Sequence, residues 1–209
     1  MAAVLKLLGR STSNNVQKVL WLLDEIGRPY ERHDYGGAHG GTTDETYLRL
    51  NPNSTVPTLV DGDFVVWESN TILRYVAESS GAESFYPRDL KSRTICNQWL
   101  DWQNSALGPA MSPLYKAIVR TEPAKRDPAL IDQLHARASR LFAIMDGALD
   151  RSAFLAGPSL SLADIAAGSV VYRWYTLGLN DPKTQALEAW LRALETRPAF
   201  RQHVMIELV

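Results

Sequence analysis

Cysteine is nearly absent from this sequence. Cys96 is the single one in 209 residues, which excludes an intrachain disulfide, a CxxC redox pair and a thiolate zinc site. His33, His135 and His203 show no metal-ligand spacing, so no metal is expected. An excess of charge is also lacking: the formal net charge is -1, and Lys and Arg are spread along the chain. There is accordingly no electrostatic footprint for nucleic acid or an anionic membrane surface. Long apolar runs are missing too, the longest being short stretches such as Val19-Leu20-Trp21-Leu22-Leu23. A bilayer requires roughly 20 apolar residues, so no membrane crossing is expected. The opening Met1 to Gly9 carries Lys6 in its middle and lacks a small-residue cleavage pattern, so it reads as a first β-strand and not as a leader. A cytoplasmic location fits these absences.

What is present is a globular composition, 45% apolar and 22% charged, sufficient for one large core or two smaller ones. The first 80 or so residues alternate strand-like and helix-like patterns, the sign of an α/β layer structure. Val4 to Leu8 reads as a strand, and Val16, Val19, Leu20, Leu23 and Ile26 recur at helical spacing until Gly27 and Pro29 end the helix. Tyr30 to Asp34 is a second strand, followed by the loop-like Gly36-Gly-Ala-His-Gly-Gly41. Thr58-Leu-Val60 and Phe64-Val-Val-Trp67 flank Asp61-Gly62, a hairpin signal, and a helix runs from about Ser69 to Ser79. Gly81 to Asp89 makes a linker, dividing the chain into residues 1-81 and 90-209.

The second part reads as all helical. Lys91 to Trp102 is apolar-periodic, and Gly108-Pro109 with Ser112-Pro113 should bend or interrupt its continuation. Leu134, Ala138, Leu141, Met145 and Leu149 form one later stripe, and Leu187, Trp190, Leu191 and Leu194 another. Ser161-Leu-Ala-Asp164 is a capping box, with Leu160 and Ile165 placed as a hydrophobic staple, and it fixes where a buried helix begins.

Three segments together resemble the glutathione transferase family, over nearly the whole chain. They are Gly9-Arg-Ser-Thr-Ser-Asn-Asn-Val-Gln-Lys-Val19; Asn51-Pro-Asn-Ser-Thr-Val-Pro-Thr-Leu59 with Trp67-Glu-Ser-Asn-Thr-Ile-Leu-Arg-Tyr75; and Phe154-Leu-Ala-Gly-Pro-Ser-Leu-Ser-Leu-Ala-Asp-Ile165. The flavour is that of serine-type bacterial members related to the theta and phi groups. The resemblance implies a thioredoxin-like, glutathione-binding N-terminal domain, an all-α C-terminal domain completing an electrophile site, and a homodimer. Glutathione is then the co-substrate and a hydrophobic electrophile its partner.

Glutathione carries two carboxylates, an ammonium and a thiol, and each needs its own counterpart. On the resemblance, a cis Pro57 leaves the Val56 amide and carbonyl free to pair with the cysteinyl backbone like an added strand; an ordinary trans turn proline is the alternative. Ser69, where the next helix starts, can hold a carboxylate with the free N-H groups there, and Glu68 can take the ammonium. The same pair also suits plain helix capping. Thr55 stands where many relatives have a glutamine, and His39 lies in the loop where relatives place basic residues against the glycyl carboxylate.

Only thiolate is a competent nucleophile, and a free thiol with a pKa of about 8.5 is mostly protonated at neutral pH. A hydroxyl donating to sulfur at the positive end of the first helix stabilises the anion; a charge-assisted bond of about 1.5 to 3 kcal/mol corresponds to roughly one to two pKa units. The resemblance places Ser13 in that role, with Ser11 as the competing choice and Asn15 as an assisting amide donor. The alternative is capping chemistry, common in a polar run before a helix. Trp102, Met111 and Tyr115, with Tyr172 and Trp174, are candidates for the electrophile pocket or else core. Asp101 is either a contact across the dimer interface or a solvated acid. A non-catalytic scaffold and a glutathione-dependent isomerase are the competing functions, although the Ser-Ser-Cys run of the isomerase group is missing.

Overall fold

The computed structural model describes residues 4–180 and 183–208; residues 1–3 of the opening segment lie outside them. Strand β1 (Leu5–Leu8) leads through a polar turn into α1 (Asn14–Glu25), and β2 (Tyr30–His33) returns parallel to β1. A 3-10 turn (Gly37–His39) and a short helix α2 (Glu45–Leu48) precede the antiparallel pair β3 (Thr58–Asp61) and β4 (Phe64–Trp67). The four-stranded sheet has the order β2-β1-β3-β4, with β1 antiparallel to β3. The hairpin turn sits one residue later than Asp61-Gly62: the loop is Gly62-Asp63, and the positive φ falls on Gly62 alone, at 63°. A glycine in the first loop position satisfies this turn, so the aspartate before it stays in the ladder.

Helix α3 (Ser69–Ser79) ends the first part, and the rest is helical: α4 (Leu90–Trp102), α5 (Gly108–Tyr115), α6 (Pro128–Leu149), α7 (Leu162–Thr176), α8 (Gln185–Glu195) and α9 (Pro198–His203). Pro109 and Pro113 do not interrupt the helical path between α4 and α5. The path passes through a π turn (Gln103–Leu107) and a second one after α5 (Lys116–Arg120). The Gly108 N-H donates to the Gln103 carbonyl five residues back. The first π turn holds one extra residue, which widens the ladder next to Pro109, where a proline has no N-H to give.

One apolar core runs through both parts. Helix α1 touches α3, α7 and α9, and Trp21, fully buried on α1, packs edge-on against Phe200 of α9 at 4.8 Å. Gly168 of α7 leaves room for that indole: a Cβ there would stand 2.7 Å from the Trp21 ring. The capping box at the start of α7 is formed, and Asp164 also accepts from Leu155 N and the Trp190 indole, each at 2.9 Å. One buried carboxylate thus ties α7 to the preceding loop and to α8.

Candidate active site

The turn between β1 and α1 is built to lie close to its neighbours. Gly9 has φ 157°, and a Cβ there would meet Val16 at 2.6 Å and Val56 at 3.2 Å, so only a glycine lets the turn approach Val56 this closely. Ser13 is the N-cap of α1 with extended backbone angles, yet its side chain makes no capping bond. Its hydroxyl is mostly buried and lines a cleft of about 430 Å³. The cleft runs from this turn to the π turns, α5 and α7, and its wall includes Asn15, Met111 and Tyr115.

The loop before β3 is fixed by a buried polar cluster. Tyr47 OH donates to the Thr55 carbonyl at 2.6 Å, and Asn51 Nδ2 reaches the same carbonyl and Thr58 Oγ1, both at 3.0 Å. The Val56–Pro57 bond is cis, and the β3 ladder begins only at Thr58, past the Val56 amide and carbonyl. Thr55 itself is exposed. Glu68 is an exposed N-cap at φ 69°, and Ser69, the first residue of α3, is buried. Behind them lies Lys18, fully buried on α1, whose Nζ donates to Asn70 Oδ1 at 2.9 Å and Gln103 Oε1 at 3.2 Å. Gln103 reaches the cleft wall, so this chain of amides links α3 to the cleft. Burial lowers the Lys18 pKa to about 7, with Glu68 pulling weakly the other way.

Several sequence candidates lie elsewhere. Ser11 is not among the residues of the cleft wall. Trp102 is absent from it as well and stands edge-on to Trp99 at 5.2 Å. Trp174 is core, stacked on Phe142 at 4.4 Å and on His135 at 5.0 Å, while Tyr172 packs edge-on to Phe200. His39 lies outside the cleft, 3.6 Å from Asp34, and Asp101 pairs with Arg74 of α3 at 2.6 Å. The cleft holds charged side chains beside Met111 and Tyr115. Arg10, Lys116, Arg120 and Arg173 line it, because the π turn after α5 brings two cations to the rim and α7 presents a third. The sequence did show Arg10 opening the polar turn. Arg173 had no such signal, since its position depends on how α7 crosses α1.

A family model described as the glutathione S-transferase N-terminal domain matches residues 3–78, and one for the C-terminal domain matches 106–198. The chain belongs to the glutathione S-transferase family. This transferase is 36% identical to the glutathione S-transferase GstB of Escherichia coli K12 over 97% of its own length and 99% of that protein. It is 30% identical to a probable glutathione S-transferase, GSTF2, of rice, covering 96% and 95% of the two chains. Among solved structures, the theta class glutathione S-transferase of Xanthomonas axonopodis pv. citri with glutathione bound superposes at a TM-score of 0.94, with 38% identity and full coverage of both chains. The fold is therefore the glutathione transferase fold, a mixed four-stranded sheet domain joined to a helical one. No helix among the described residues is long and apolar enough to cross a membrane, and no group of metal-ligating side chains is found among them.

Proposed function

We propose that this transferase binds glutathione along Val56, Glu68 and Ser69 and holds its thiol as thiolate with the Ser13 hydroxyl, for attack on an electrophile in the cleft. The observation that carries the assignment is at Ser13: the residue lines the cleft at the N-terminus of α1, and its side chain is not spent on capping. A donor placed there adds to the positive end of the helix dipole, so both stabilise the sulfur anion. Val56 lies just before the β3 ladder, which begins at Thr58, and this supports strand-like pairing of its amide and carbonyl with the tripeptide backbone. Exposed Glu68 and the buried N-terminus of α3 supply complementary partners for an ammonium and a carboxylate. Thr55 beside Val56 and His39 in the 3-10 turn before α2 are further candidates for contact with the tripeptide, and Asn15 is a further residue on the cleft wall.

The decisive measurement is the ultraviolet thiolate absorbance of bound glutathione against pH in wild type, Ser13→Ala and Ser11→Ala. A lowered thiol pKa should rise by about one to two units in Ser13→Ala alone, matching the loss of one charge-assisted bond. Equal pKa values in all three proteins would sink hydroxyl activation. A protein that bound no glutathione at millimolar concentration would be a scaffold.

The same reading divides the chain into a glutathione-binding domain, residues 1-81, and an electrophile domain, residues 90-209. It also makes the protein a cytoplasmic homodimer. Support for the dimer comes from exposed apolar side chains on β4 and α4: Phe64, Trp67, Leu90 and Ile95. The single cysteine, buried and undisulfided, suits a reducing compartment.

A further inference from the structure

The cleft beside Ser13 has a charge pattern that a neutral electrophile leaves unused. Its wall contains Arg10, Lys116, Arg120 and Arg173 and no aspartate or glutamate. None of these four pairs with a carboxylate among the described residues. Arg32, Arg49, Arg74, Arg93, Arg192 and Arg197 all do. Like charges gathered around a cavity without counter-ions repel one another, and the arrangement is relieved by a bound anion.

The individual geometries agree. The Arg173 guanidinium lies 4.7 Å from the centre of the Tyr115 ring and donates to the Thr12 carbonyl at 3.0 Å, which anchors it beside the turn that carries Ser13. Its Nε is buried without a partner. Burial pushes the Arg173 pKa down, and Arg120 and Arg10 push it further, against Tyr115; guanidinium nonetheless stays charged. Arg120 lies over the same ring, 5.8 Å from its centre. Arg10 runs along the Gly36-Gly37 loop, where a Cβ on Gly37 would meet its Cδ at 2.9 Å. Arg10 thus borders the Gly36-Gly37 loop, Arg173 lies beside the turn that carries Ser13, and Lys116 and Arg120 come from the π turn after α5. Val56, Glu68 and Ser69 do not line this cleft, whereas Ser13, assigned to the thiol, shares it with the cations, as a site for the second substrate requires.

We propose that the second substrate is a small electrophile carrying a carboxylate or equivalent anionic group, held by Arg120, Arg173 and Lys116 against the Tyr115 ring with its reacting carbon toward Ser13. This deepens the transferase reading and rests on it. The cavity of about 430 Å³ suits a substituted benzoate or smaller. In the reaction, the glutathione thiol first loses its proton to solvent. The sulfur then bonds to the electrophilic carbon, and the carbon–halogen bond breaks, with halide leaving with its electron pair.

Binding and turnover are tested separately. With glutathione saturating, calorimetry compares 3,5-dinitrobenzoate with its uncharged methyl ester, which share one ring. The carboxylate should bind at least tenfold more tightly, with the preference falling below threefold in Arg120→Gln combined with Lys116→Gln and shrinking as salt is raised. Both positions are exposed, so the folded core is not disturbed. An ester that bound as tightly as the acid, or a preference that survived both substitutions, would overturn the proposal. Turnover of 4-chloro-3,5-dinitrobenzoate and its methyl ester, each relative to its uncatalysed reaction with glutathione, reports on the transferase reading. If neither were turned over while the carboxylate still bound selectively, the transferase reading would fall and the anion site would stand.

Discussion

A lysine without a carboxylate in hydrogen-bonding reach lies between the two halves of the molecule. Lys18 donates to two neutral amides, Asn70 and Gln103, and burial brings its pKa to about 7 from 10.5. The direction of its effect on stability follows from linkage. Between about pH 7 and 10.5 the unfolded chain holds a proton on this amine that the folded chain has released, so stability rises with pH in that window. Replacing Lys18 by Met removes the titration and takes a donor from Asn70 Oδ1, while Gln103 Oε1 keeps the bond from Asn70 Nδ2. The difference in unfolding free energy, wild type minus Lys18→Met, should therefore grow as pH rises from 7 to 9.5, by at most about 1.4 kcal/mol per unit. Denaturant melts across that range measure it. A difference independent of pH would mean that the amine stays protonated in the fold. The same residue shows why part of the site was hidden in the sequence. Periodicity put Val16, Val19, Leu20 and Leu23 on the inner face of α1, which makes Lys18 look like a surface cation. Yet α1 is buried on all sides from Val16 to Leu23. A helix enclosed between α3, α7 and α9 has no solvent face for a pattern to reveal.

Elements were more legible than their contacts. The strand, helix and hairpin order of the first part follows the sequence pattern closely, and α3 spans Ser69–Ser79 as the periodicity predicts. The capping box at Ser161 and Asp164 is present because its bonds are local and need no knowledge of the rest of the fold. The passage from α4 to α5 was not legible in this way. Prolines normally signal a bend, but a π turn absorbs the missing N-H, and that depends on packing that spacing does not encode. Close approach of elements is equally invisible to periodicity, and Gly168 is the clearest case. It lies in the middle of α7, where glycine costs roughly 0.5 to 1 kcal/mol relative to alanine, so propensity alone favours Gly168→Ala. The structure reverses the sign: the new Cβ would stand 2.7 Å from Trp21 and 3.2 Å from Leu194, and the indole, fully buried, cannot swing aside. Overpacking of this kind costs about 1 to 3 kcal/mol. For a chain of this size that lowers Tm by roughly 2 to 4 °C per kcal/mol. A scanning-calorimetry Tm at or above wild type in Gly168→Ala would show that α1 and α7 can separate without loss.

At the scale of the whole molecule the two parts share one core, and apolar side chains remain exposed on β4 and α4. Arg197 of the α8–α9 connection bonds Glu25 of α1 through Nε and Nη2, and Leu162 N donates to the Phe85 carbonyl, so the helical part closes on the sheet part at several points. Apolar side chains are exposed on β4, the last strand in the sheet order, and on α4. Phe64 and Leu90 are 52% and 76% exposed, and a second copy of the chain covering both would bury them. Phe64 also packs at a tilt against Tyr75, ring centres 5.2 Å apart, so it is held in place before any partner arrives. A two-fold pairing of such faces is isologous, each substitution appears twice in it, and the penalties double. Burying a charge without a partner at the centre of an interface costs several kcal/mol. Phe64→Glu with Leu90→Glu should therefore convert a dimer into a monomer in sedimentation velocity at micromolar concentration. The melting temperature should change little, since neither side chain belongs to the core. Because Ser13 and the cleft lie within one chain, the dissociated variant should still bind glutathione. A wild-type protein that sedimented as a monomer at ten micromolar, or a double variant that remained dimeric, would place the interface elsewhere or remove it.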